Sequence, residues 1–60
     1  MRAYIFHFTG QDSTKCSVTI DLIHRPCGYT FEQAQMEAIT AVLQVKGTEW
    51  IKDWTIQEVK

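Results

Sequence analysis

Sixty residues, 45% of them apolar, carry six basic and seven acidic side chains for a net charge of −1. A chain of this length holds one domain, residues 1–60, and buries only about 60% of the surface it exposes when unfolded, so a staple or a partner is expected. The balanced charge supplies no field to draw nucleic acid or a membrane surface, and scattered charge among abundant apolar residues argues against disorder.

The opening run "MRAYIFHF" has one arginine and a short apolar stretch broken by His7. It lacks the longer apolar region and small-residue cleavage site of a signal peptide. No stretch approaches the roughly 18 apolar residues of a membrane span. A cytoplasmic setting is therefore expected, with both cysteines as thiols. "AYIFHF" (residues 3–8) is rich in β-formers and short enough to be a strand. "TGQDSTK" supplies turn chemistry through Gly10, Asp12 and Ser13. "CSVTIDLI" (16–23) then alternates, with Cys16, Val18, Ile20 and Leu22 on one face and Ser17, Thr19 and Asp21 on the other, as in an antiparallel strand with one wet face. Pro26 and Gly28 stop it.

The helix follows. Thr30 is a good N-cap, Gln33 completes a capping box, Tyr29 and Ala34 occupy staple positions, and Lys46 and Gly47 close the far end. At 100° per residue Phe31, Ala34, Ala38, Ala41, Val42 and Val45 make one apolar stripe, opposite Gln33, Glu37, Thr40 and Gln44. In the tail, Trp50 and Trp54 have helical spacing while "WTIQEV" alternates. A short turn around Glu49 to Lys52 and then a third strand is the favoured reading, because three strands make a better floor for a helix than two. The expected architecture is α+β, in β-β-α-β order, with a three-stranded antiparallel sheet in order 2-1-3 and the helix on one face.

Chemistry-bearing residues are few. His7, Cys16, His24 and Cys27 form an acceptable zinc ligand set. At about 3.3 Å per residue, however, Cys16 and His24 stand roughly 26 Å apart along the second strand. The four groups cannot converge, and Cys16 cannot reach Cys27 for a disulfide. Arg25 and a helix start lie near Cys27, which favours a thiolate. Yet Cys27 precedes the N-cap by three residues and no base is fixed beside it, so a loop residue packing under the helix is the preferred reading. Asp12, Asp21 and Asp53 are singly placed. No enzyme activity, metal or cofactor is expected.

Two features exceed what a lone domain needs. Both faces of the first strand are apolar, with Tyr4, Phe6 and Phe8 on one side and Ala3, Ile5 and His7 on the other. A hairpin loop of three, four or five residues decides which set meets the helix. Inward aromatics are favoured, since a small core wants its largest side chains. Outward, they would form a platform for stacking unpaired bases, although without the cluster of lysine or arginine that phosphate binding needs. Second, Met36, Ile39 and Leu43 lie beside the helix stripe and widen its apolar arc to about 220° where about 100° suffices. Trp50 or the folded-back tail covers this flank, or a second chain does.

The run "YTFEQAQMEAI" (29–39), following a strand, resembles the strand-then-capped-helix segment of HicB-type antitoxin domains over a fifth of the chain, through helix-start chemistry alone. The expected function is protein–protein contact without catalysis, with self-association as a homodimer and partner contacts at Met36, Ile39, Leu43 and Trp50. The alternative is nucleic-acid binding through Tyr4, Phe6 and Phe8.

Overall fold

A computed structural model describes residues 2–60. The chain forms β1 (Ala3–Gly10), β2 (Lys15–Asp21), α1 (Phe31–Lys46) and β3 (Ile51–Val59). The strands make one antiparallel sheet in the order β2-β1-β3, so the α+β architecture and its strand order stand as read from the sequence.

The hairpin loop has three residues. Gly10 and Thr14 still face each other, with the Gly10 N–H donating to the Thr14 carbonyl at 2.8 Å and the Ser13 N–H to the Gly10 carbonyl at 3.0 Å. Ser13 takes φ of +70°, the left-handed residue that closes such a turn. The Asp12 carboxylate organises it further, accepting from the Thr14 hydroxyl at 2.6 Å, the Thr14 N–H at 3.2 Å and the Trp50 indole N–H at 3.1 Å. An odd loop fixes the pairing parity. Tyr4 stands opposite Ile20, Phe6 opposite Val18 and Phe8 opposite Cys16, so the aromatic set shares a face with the apolar set of β2.

That face is the core. Phe6 and Phe8 are fully buried with Ile20, Ala34, Ala38 and Val42. Alanines at 34 and 38 let the helix backbone approach the two phenyl rings closely, while Thr30 and Gln33 close the capping box at its start. At the other end, Gly47 at φ +99° donates its N–H to the Leu43 carbonyl.

Three boundaries and one face differ from the sequence reading. β1 runs on to Gly10, because the turn is tighter than its polar composition suggests. β2 stops at Asp21 rather than Ile23, where the Asp21 side chain accepts the Ile23 N–H at 2.8 Å and bends the chain before Pro26. The last turn comes earlier, the Trp50 N–H reaching the Gly47 carbonyl at 3.3 Å, and β3 starts at Ile51. On the helix, Phe31, Ala41 and Val45 are exposed, whereas Gln35, Ile39 and Leu43 are half-buried. The helix is thus rolled so that its buried face centres on Ala38 and Val42 and leans toward Ile39.

Candidate protein-interaction surface

The roll of the helix determines what it leaves bare. α1 rests on β2 and β1. Its Ala41 and Val45 flank borders Cys16 and Val18 of β2 in an apolar groove. The opposite flank, led by Ile39, is turned away from β2, while Met36, about 160° around the helix from Ala38 at 100° per residue, points away from the sheet. In β3, Trp54 pairs with Phe8 and Ile56 with Phe6 across the ladder. Cross-strand partners project to the same side of a sheet, so Trp54 and Ile56 lie on the core face. They are nevertheless 40% and 38% exposed. Trp54 touches the core only at its margin, its ring 6.3 Å from that of Phe8. Trp54 and Ile56 thus leave apolar surface bare on the core side of β3, beside a helix that rests on β2 and β1.

The four residues singled out from the sequence part company here. Met36 is 62% exposed. Ile39 is half-buried and packs against the core, and Leu43 is half-buried. Trp50 has structural work elsewhere. It packs against the core and lies over Gly10 so closely that a methyl group at that position would overlap the indole. Its N–H is held by Asp12, and the Lys46 ammonium stands 5.3 Å from its ring centre. Trp54 and Ile56 escaped the sequence reading. Their alternation within "WTIQEV" was visible, but assigning them a face requires the register against β1.

The aromatic platform for nucleic acid is corrected by the same geometry. Phe6 and Phe8 are 0% and 1% exposed, and Tyr4 is half-buried against Phe31, ring centres 5.1 Å apart. No base can stack on rings already enclosed by the helix. Their burial follows from the three-residue loop.

The open sheet face is polar and carries a three-residue ladder across all its strands. His7 Nδ1 lies 2.8 Å from Ser17 Oγ on β2, and His7 Nε2 lies 3.2 Å from Gln57 Oε1 on β3. His7 thereby joins a side chain on each neighbouring strand, one through each ring nitrogen. All three side chains are exposed on an open face with Lys15, Asp53 and Thr55 around one end. The ladder reads as cross-strand pairing.

Elsewhere the ionisable groups pin the loop between β2 and α1. Glu37, assigned to the wet face of the helix, accepts from Arg25 Nη2 and from the Tyr29 hydroxyl, each at 2.6 Å. Arg25 also lies 4.9 Å over the Tyr29 ring. The Tyr29 hydroxyl and then the Arg25 guanidinium hold the Glu37 carboxyl below its ordinary 4.5. The Thr14 bonds hold Asp12 below its ordinary 3.8. Both cysteines are free, Cys16 half-buried and Cys27 exposed. Among the described residues no cluster of three histidine, cysteine or carboxylate groups is placed to hold a metal ion, and no helix is long and apolar enough to cross a membrane.

Comparison with protein-family models, with curated proteins and with solved structures finds no match. The surface geometry therefore carries the functional reading alone.

Proposed function

We propose that this protein acts through protein–protein contact, without chemistry of its own, and that it associates with itself through the apolar surface on the core side of β3. One observation carries this reading. Trp54 and Ile56 stand on the core side of the sheet, opposite two fully buried phenylalanines, and remain more than a third exposed. Large apolar side chains left bare side by side mark contact sites on soluble proteins. The small core strengthens it. Only six hydrophobic residues are buried among those described, so sheltering two more large side chains is a substantial addition.

Light scattering over a concentration series tests the reading. Reversible growth in mass toward high micromolar concentration is expected, and Trp54→Lys should abolish it while the circular dichroism of the monomer is retained. A strictly monomeric mass over the whole range would defeat the self-association.

A further inference from the structure

We propose that two copies join edge to edge through β3, antiparallel about a two-fold axis at Thr55, into one six-stranded sheet. This rests on the contact reading above and names its partner and register. β3 is an edge strand, paired on one side to β1 alone, so its other rim presents unpaired backbone donors and acceptors. What selects a second copy as occupant is the sequence of the strand, "IKDWTIQEV".

Placed antiparallel to itself about Thr55, the strand is self-complementary. Lys52 falls opposite the partner's Glu58, Asp53 opposite the partner's Gln57 and Trp54 opposite the partner's Ile56; the matching ends at the bulge, beyond which Ile51 packs against the core while Val59 shares the open face with Ala3. Each of these pairs occurs twice by symmetry, as in an isologous interface. Opposite charges and an aromatic ring facing a β-branched residue are favourable cross-strand pairs, and like charges so placed are unfavourable. Any register displaced by two residues along one strand loses the Lys52–Glu58 match. Lys52 also occupies the bulge where β3 slips one residue against β1, between Asp53 opposite Thr9 and Ile51 opposite Gly10. The pairing shelters what the monomer leaves bare, because Trp54 and Ile56 of both copies meet on the helix side.

The other rim offers a competing arrangement. β2 reads self-complementarily about Val18, with Lys15 opposite Asp21. Its inward side chains already lie under the helix, Ile20 buried and Cys16 and Val18 half-buried. Pairing there would shelter the exposed Ala41 and Val45 at the helix margin but no aromatic ring, whereas β3 carries Trp54 and Ile56 on the strand itself, which favours β3.

Disulfide trapping tests the register in the full chain with Cys16→Ala and Cys27→Ser. Thr55 is the one position in β3 that faces its own copy, at a separation a disulfide can bridge. Thr55→Cys should cross-link into a dimer on mild oxidation. Asp53→Cys and Gln57→Cys should not cross-link singly but should do so when mixed. Charge exchange gives a second readout that needs no cysteine. Lys52→Glu should weaken association about tenfold, and Lys52→Glu with Glu58→Lys should restore it. A cross-link at Val18→Cys instead of Thr55→Cys would overturn the proposal in favour of the β2 rim. A dimeric mass with no cross-link at Thr55 and no response to the charges would overturn it while leaving contact through the bare apolar surface intact. A monomeric mass throughout would overturn both readings.

Discussion

Two residues in the hairpin show how little freedom the small core leaves. Gly10 ends β1 directly beneath the Trp50 ring. Its side-chain space is taken, so Gly10→Ala forces the indole outward and breaks its bond to Asp12. Overpacking of this kind costs about 1–3 kcal/mol, and denaturant unfolding should show a loss in that range. Three positions along, Ser13 holds φ of +70° without the freedom of glycine. A left-handed residue with a Cβ carries a penalty of about 1–2 kcal/mol, partly offset by glycine's greater loss of entropy. Ser13→Gly should therefore stabilise the hairpin by roughly half to one kcal/mol, read as a raised unfolding midpoint. Neither contact was legible beforehand. Gly10 and Trp50 are separated by forty positions of chain, and a serine does not advertise a left-handed turn. The same turn settled which face of β1 meets the helix, a choice that residue types alone left open.

At the scale of elements, the helix and its preceding loop are the most legible and the most testable. The N-cap followed from local chemistry, because both partners of a capping box lie within four residues. Thr30→Ala removes the side-chain acceptor for the Gln33 N–H and should cost about 1 kcal/mol. The rotation of the helix about its axis was not legible. Ala41 and Val45 are as apolar as the residues that are buried, and only the position of α1 over β2 and β1 decides that they lie at the margin. The loop before the helix depends on Glu37, whose carboxyl gathers Arg25 and Tyr29. Because folding lowers that carboxyl's pKa below 4.5, its contribution is present above that value and is lost as the pH falls through the lower folded value. Asp12 adds the same sign from below 3.8. Stability should thus fall on acidification below about pH 4.5, and hydrogen exchange over residues 22–30 should rise with it. Glu37→Gln should flatten that dependence for the loop while leaving the hairpin's own acid response in place.

For the molecule as a whole, strand order and layer arrangement were legible because the alternation of β2, the capped helix and the need for a third strand admit few topologies. The interaction surface was legible only in outline. Excess apolar surface on the helix flank was visible, but the bare pair on the sheet, Trp54 and Ile56, depends on the register of β3 against β1 across 40 or more residues of chain. Trp50 looked like part of the same patch and is instead a structural anchor for the hairpin. Exchanging the two roles gives a clear contrast. Trp54→Lys should disperse the assembly and spare the fold, whereas Trp50→Lys should unfold the hairpin end, seen as lost near-ultraviolet dichroism.

Both outer strands of the sheet end in unsatisfied backbone, which makes each molecule bifunctional in the sense a polymer chemist would use. If one rim alone engages, growth terminates after a single step at twice 7.0 kDa. If both engage, the product is a ribbon of indefinite length. The mass distribution at high concentration therefore reports directly on how unequal the two rims are, and a chain that stays soluble there owes it to that inequality.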